Sequence, residues 1–335
     1  MRRGGNEVNS VVGNDTVGLT DVPLANLVAS GRDVLVQVKA ISINPVDIKT
    51  TAHTAAAQIR GYDAAGIVVG VGPDVTKFKV NDRVFYAGTT TRNGSYADQQ
   101  LVDERLVARA PALDFADLAA LPLTWLTAAE ILFEKLSYTP APGANVGHTI
   151  LVINGAGGVG SILTQLAHYV GLTVIATSSP RNFAWLKAHG VDHVVDYHQS
   201  LVSQVKQFGL TIDSSLNLID TGQYFDELVE LVRPFGHLVN ITSTAQPIDI
   251  MKLQPKSLSF DWELMFTKSG YHDRMASQGQ SLAWLADLLA SGHIKSTRTQ
   301  TIQAPITAAT LKQAHADLRD HHMVGKLVVE NTAHN

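Results

Sequence analysis

The stretch from Ile150 to Tyr169 constrains this chain more than any other: the apolar run Ile150-Leu151-Val152-Ile153, then Asn154, then Gly155-Ala156-Gly157-Gly158-Val159-Gly160, then a segment of helical periodicity. The glycines sit where a short buried strand turns into a helix. In that setting Gly155 permits the tight turn, Gly157 lets the backbone approach a pyrophosphate, and Gly160 lets the helix pack closely on the strand. The amides that open the helix, at Gly158 and Val159, then face the phosphates, and the helix dipole favours their charge. A glycine-rich connector with no ligand is the plain alternative.

The segments beyond the turn argue against that alternative. Strand candidates at 150–154, 173–176, 193–196, 216–220 and 236–241 alternate with helix candidates that begin at Val159, Arg181, near Leu201 and at Phe225. Such alternation is the signature of βαβ units in a doubly wound parallel sheet, an α/β domain placed at 126–267. The first third differs. Short β segments at 34–41, 66–72 and 82–86 are separated by Gly, Pro and Asn turns, as in an irregular β barrel. Helical patterns occupy 115–121 and 126–133, and the last part holds a helix at 281–291 and a closing segment at 325–329. Because the parallel sheet lies mid-chain, 1–125 and 268–335 must come together as the second domain.

Cofactor choice is read about 20 residues beyond the glycines, where NAD enzymes place an acid on the ribose 2'-hydroxyl. That region reads Ile175-Ala176-Thr177-Ser178-Ser179-Pro180-Arg181, and no Asp or Glu occurs between the turn and Asp192. Hydroxyls with an arginine suit a 2'-phosphate, so Ser178, Ser179 and Arg181 point to NADP(H). Ser179-Pro180 is also a good helix start, and both readings can hold together.

Composition removes other classes. A length of 335 residues suits about two domains. A net charge of -4 without basic runs gives no footprint for nucleic acid or an anionic membrane. No segment approaches the roughly 18 apolar residues of a membrane span, and polar residues come after Met1-Arg2-Arg3, so a soluble cytoplasmic protein without an export signal is expected. There are no cysteines, which rules out thiolate nucleophiles and zinc sites with sulfur ligands. The His321-His322 pair and the His189, His193 and His198 group do not converge on one ion, so no metal is expected.

Several segments, in order, resemble the medium-chain dehydrogenase/reductase superfamily, and within it the zinc-free branch of quinone oxidoreductases and zeta-crystallin-like proteins. They are Ser42-Ile43-Asn44-Pro45-Val46-Asp47, Gly61-Tyr62-Asp63-Ala64-Ala65-Gly66, Gly94-Ser95-Tyr96-Ala97-Asp98, Ala120-Leu121-Pro122-Leu123-Thr124, the glycine turn and Gly325-Lys326. The resemblance implies a GroES-like β domain built from both chain ends, a Rossmann domain between them, an active site in the cleft, and a homodimer. Zinc-dependent alcohol dehydrogenases of this superfamily place a cysteine where Asn44 stands and a histidine where Tyr62 stands. With neither present, the resemblance implies metal-free hydride transfer from NADPH to a quinone or an α,β-unsaturated carbonyl, whose conjugation spreads the developing charge.

The implied catalytic residues are Tyr62, Asn44 and Asp47. Thr127, Tyr197, Thr242 and Lys326 join the turn as implied cofactor contacts. Each has a bland reading beside it. Asn44 can cap a helix that starts at Pro45, with Asp47 in its first turn. Tyr62 can be a half-buried aromatic, Thr127 a back-bonded helix residue and Lys326 a solvated strand-end lysine. Two other functions remain open here: a zinc-independent alcohol or aldehyde dehydrogenase, and a non-catalytic NADPH-binding protein.

Overall fold

The computed structural model describes residues 9–14, 18–24, 26–49, 58–320 and 323–333. The Met1-Arg2-Arg3 start and the His321-His322 pair lie outside the described residues. The chain forms two compact units, Met1–Leu123 with Phe266–Asn335, and Thr124–Met265.

The first unit opens with strands β1 (Asn9–Asn14) and β2 (Gly18–Pro23), followed by β3 (Asp33–Ser42), helix α1 (Pro45–Lys49), β4 (Gln58–Ile59), β5 (Asp63–Val71), β6 (Arg83–Tyr86), β7 (Gln99–Asp103) and β8 (Val107–Arg109). Helix α2 (Phe115–Ala119) precedes α3 (Pro122–Ala129), which carries the chain into the second unit. Along β3 the side chains of Val34, Val36, Val38 and Ala40 are buried and their neighbours are not, the two-residue period of a half-buried strand. That alternation stops at Ile41, and Ser42, Ile43 and Asn44 are all buried. Two of these are polar, so partners inside the protein must satisfy them.

The second unit contains β9 (Thr149–Ile153), α4 (Gly158–Tyr169), β10 (Thr173–Ser178), α5 (Phe183–Ala188), β11 (His193–Asp196), α6 (Leu201–Gln207), β12 (Ile212–Asn217), α7 (Phe225–Leu231), β13 (Val232–Asn240) and β14 (Ser259–Trp262). Its six strands run parallel in the order β11-β10-β9-β12-β13-β14. The order reverses direction beside β9. Ligands of open parallel sheets bind at such a reversal, outside the C-terminal ends of the strands.

Three local differences from the sequence reading have physical causes. Strand β12 begins at Ile212, not at Leu216: the run Asp213-Ser214-Ser215 is polar and hides it in the sequence, while Asp213 accepts a hydrogen bond from the Thr149 N–H at 2.7 Å and ties the strand's start to β9. The helix expected from Arg181 starts as a 3₁₀ turn, Pro180–Asn182, before α5. Strand β14 has only four residues at the sheet edge, too short to show a pattern.

Returning to the first unit, the chain forms α8 (Phe266–Gly270), α9 (Met275–Ala290), β15 (Arg298–Gln303), α10 (Ala308–Arg319) and β16 (Lys326–Glu330). Helix α9 starts six residues earlier than the expected Ser281, across Gly279, which reads as a helix breaker in sequence. The Gly279 Cα lies so near the chain entering β8 that a Cβ would stand 2.6 Å from the Arg105 carbonyl oxygen and 3.0 Å from that of Val107, so close packing selects glycine there. The main sheet of this unit runs β15-β16-β3-β5-β6-β8, with β7 also pairing β3. Strand β16 therefore lies against β3, opposing Val328 to Ser42. No helix among the described residues is long and apolar enough to cross a membrane.

Candidate active site

At the reversal point Asn154 adopts a left-handed conformation, φ +66°, and swings the chain off β9. The turn is tied to β10: the Asn154 N–H donates to Thr177 Oγ1 and the Gly155 N–H to the Thr177 carbonyl, both at 2.9 Å. Gly157 is the N-cap residue of α4, and Gly158 and Val159 are its first two residues. The leading N–H groups of a helix have no partner within it. At Gly160 a Cβ would meet the Asn154 carbonyl oxygen at 2.4 Å and that of Gly155 at 2.5 Å. Helix and turn thus touch at a distance only glycine allows, and the five turn positions form one backbone cradle.

The candidates for the ribose side stand at the next strand ends. Ser178, buried at the end of β10, accepts a hydrogen bond from Asn182 Nδ2 at 3.0 Å. Ser179 caps the 3₁₀ turn by position, yet its hydroxyl makes no capping bond. Arg181 lies exposed on that turn. Tyr197, 47% exposed after β11, donates its N–H to the Ser178 carbonyl. On the other side of β9, Thr242 follows β13, and its Oγ1 is buried with no partner among the described residues. A buried hydroxyl without a partner costs roughly 1–3 kcal/mol. Thr127 is buried on α3. The cradle and the groups around it fit a dinucleotide.

The second cluster belongs to the first unit, where β3 runs into α1. The Asn44 side chain does not cap that helix. Its Nδ2 donates to Asp63 Oδ2 at 2.8 Å, and its Oδ1 accepts from Lys326 Nζ at 2.6 Å. Lys326 also donates to the Ile43 carbonyl at 2.9 Å and lies 3.7 Å from Asp63 Oδ2. Asp63 accepts further bonds from Ser42 Oγ and from the Leu123 N–H, each at 2.7 Å. All four side chains are buried. Lys326 is therefore no solvated strand-end residue: it is 3% exposed, with its ammonium held among Ile43, Asn44 and Asp63.

Asp47 does close the start of α1: its Oδ2 accepts from the Asn44 N–H at 2.7 Å, and also from the Tyr96 hydroxyl at 3.1 Å. Tyr96 meets His315 Nε2 of α10 at 2.9 Å. The Asp47 Oδ1 atom is buried and unpartnered among the described residues. Burial pushes the Asp47 carboxyl up to about 7 against the pull of the Asn44 N–H and of Lys326. Burial likewise raises Asp63 and Tyr96 and lowers Lys326, while His315 falls to about 4 through burial and the charges of Arg319 and Arg60. Asp63 and Lys326 each oppose the other's shift. With three hydrogen bonds on Asp63 besides, we assign the pair as ionised. Tyr62 is buried, its ring edge-on to Phe266 with centroids 4.9 Å apart.

These donors do not suit zinc. Asn44 is committed to Asp63 and Lys326, an ammonium stands at the Asn44 oxygen, and the described residues contain no group of three or more His, Asp or Glu side chains able to hold an ion. In the second unit, buried Glu130 opens a π-helical segment, Glu130–Lys135, and shares a hydrogen bond with buried Glu263. Burial and the Glu130 charge push Glu263 up to about 8.

Comparison with known proteins places the whole chain. Residues 30–112 match the model of the alcohol dehydrogenase GroES-like domain, and residues 189–329 match that of the zinc-binding dehydrogenases. A zinc-type alcohol dehydrogenase-like protein of Staphylococcus aureus is 39% identical over 302 residues, 89% of this chain and 90% of the relative. The chain belongs to the medium-chain dehydrogenase/reductase superfamily. Its GroES-like sheet domain and Rossmann-like parallel sheet are those of the superfamily. The crystal structure of a putative zinc-dependent alcohol dehydrogenase from Rhizobium etli superposes with a TM-score of 0.90 at 40% identity, covering 97% of this chain and 98% of that one. An NADPH-dependent alkenal/one oxidoreductase of Arabidopsis thaliana is 29% identical over 88% of this chain and 71% of its own length. An oxidoreductase of this superfamily is the activity these relations support.

Sequence reasoning passed over Asp63, Tyr96, Arg60 and His315 as site residues. Asp63 and Tyr96 lay inside motifs already singled out, and their burial was the missing information. Nothing in the sequence marks His315, which is 219 residues from Tyr96.

Proposed function

We propose that the protein is an NADPH-dependent reductase of quinones and α,β-unsaturated carbonyls that works without a metal. The donor set at Asn44 and Tyr62 carries this reading. Where metal-dependent members hold a Lewis acid, this chain has an amide locked to Asp63 and Lys326 and a tyrosine packed on Phe266. An isolated carbonyl would need that Lewis acid to stabilise an alkoxide, whereas a conjugated acceptor spreads its own charge. When bound, the dihydronicotinamide supplies the hydride. Gly155, Gly157, Gly158, Val159 and Gly160 hold the pyrophosphate, and Thr127, Tyr197 and Thr242 border the cofactor. The Tyr62 hydroxyl is proposed to hold the acceptor oxygen by a hydrogen bond. The Arabidopsis relative's name supports both the cofactor and the acceptor class.

Protein treated with a chelator is expected to oxidise NADPH with quinones or enones as fast as untreated protein. Activity lost on chelation and restored by zinc overturns the reading.

NADP(H) rests on Ser178, Ser179 and Arg181 at the end of β10, where no carboxylate stands to repel a phosphate. Arg181→Ala is expected to weaken NADPH binding by roughly ten- to hundredfold, the worth of one hydrogen bond to a charged group. NADH binding should change less than about twofold. Titration of both cofactors by fluorescence measures this, and equal losses would refute the assignment.

A further inference from the structure

We propose that His315, Tyr96 and Asp47 form a hydrogen-bonded relay supplying the proton consumed in each reduction, an inference that rests on the reductase reading. The balance of that reaction requires a proton. A C–H bond forms at one end of the acceptor's conjugated system as the C4–H bond of the dihydronicotinamide breaks; the cofactor is oxidised by two electrons and the acceptor reduced by two. The anionic oxygen left at the other end must take a proton, whose source is finally water.

The first unit contains a path with the right polarity. His315 Nε2 can donate to the Tyr96 oxygen at 2.9 Å, and the Tyr96 hydroxyl donates to Asp47 Oδ2 at 3.1 Å. All three side chains are buried. The delivering end is Asp47 Oδ1, buried and unpartnered among the described residues. A carboxylate kept only to close α1 and pin Tyr96 needs its Oδ2 alone, and leaving the other oxygen bare in the interior is costly.

In one relay event the Asp47 Oδ1–H bond breaks as an O–H bond forms on the acceptor. The Tyr96 proton moves to Asp47 Oδ2, the His315 Nε2 proton moves to Tyr96, and His315 Nδ1 takes a proton from water. No electrons are exchanged. The groups facing Asp47 are Lys326 and Asp63 from β16 and β5, the Asn44 N–H, Tyr96, and Arg60, whose guanidinium reaches the Asp47 carbonyl. Burial, with the charges of Arg319 and Arg60 beside it, keeps His315 neutral, so it passes protons without storing charge. With its carboxyl near 7, Asp47 holds a transferable proton at neutral pH.

Infrared difference spectra of the wild-type protein without cofactor should show a buried carboxylic-acid carbonyl band that disappears as pH rises through about 7. The band should be missing in Asp47→Asn and shifted in Tyr96→Phe. In turnover, Tyr96→Phe and His315→Gln should each lower kcat at least about tenfold and enlarge the solvent deuterium isotope effect, with KM for NADPH within about twofold. Imidazole should restore part of the rate of His315→Ala. Tyr96→Phe removes a single oxygen, so it remains informative if the histidine variants fold poorly. Absence of the titrating band, or variants with wild-type kcat and isotope effect, overturns the relay while wild-type turnover leaves the reductase reading standing. Wild-type protein that fails to oxidise NADPH with every quinone and enone offered overturns that reading, and the relay's role with it.

Discussion

Lys326→Met is expected to lower the free energy of unfolding by about 3–5 kcal/mol, the usual cost of removing one partner from a buried ion pair. The methionine keeps most of the volume and all of the apolar stem, so the loss isolates the charge. Asp63 would stay buried with three hydrogen bonds and no cation, and the Asn44 Oδ1 and Ile43 carbonyl oxygens would each lose a donor. Urea unfolding followed by far-UV circular dichroism measures the change. A loss below about 0.5 kcal/mol would show that the Asp63 carboxylate does not depend on this ammonium. The double variant Lys326→Met with Asp63→Asn should recover part of the loss, since it removes both charges together.

The second large effect is expected at the glycine cradle. Gly160→Ala puts a methyl group within 2.5 Å of two backbone carbonyl oxygens, neither of which can turn away as a side chain could. Either α4 moves off the turn or the turn opens, and overpacking of this kind costs about 1–3 kcal/mol. The displaced groups are the amides of Gly158 and Val159, so NADPH and NADH affinity should fall together, by roughly ten- to hundredfold, in contrast to the selective loss at Arg181. Isothermal titration of both cofactors tests this. Unchanged affinity would mean that the amides opening α4 do not hold the pyrophosphate.

Much of the parallel sheet was legible in advance because each strand and helix of a βαβ unit announces itself within a dozen residues. The run from Ile150 to Ile153 and the glycines after it needed no distant partner to be understood. The polar opening of β12 was hidden because Asp213 owes its place to Thr149, on a strand 64 residues earlier. The β domain was harder. Its hairpin of β1 and β2 joins a separate small sheet through β4, a pairing that leaves no periodic trace.

The two candidate clusters divide in the same way. The sequence by itself determined the glycine turn, and the hydroxyls and arginine at the end of β10 and just past it. All of these depend on neighbours along the chain, where turn chemistry and strand-to-helix order act. Only the tertiary structure decided what Asn44, Asp47 and Lys326 do. Antiparallel pairing of β16 with β3 opposes Val328 to Ser42, so the residue two before Val328 falls beside the residue two after Ser42. That register, 282 residues across the sequence, turns a strand-end lysine into the cation that holds Asn44 and Asp63. A buried charge takes its meaning from the partners that folding brings to it.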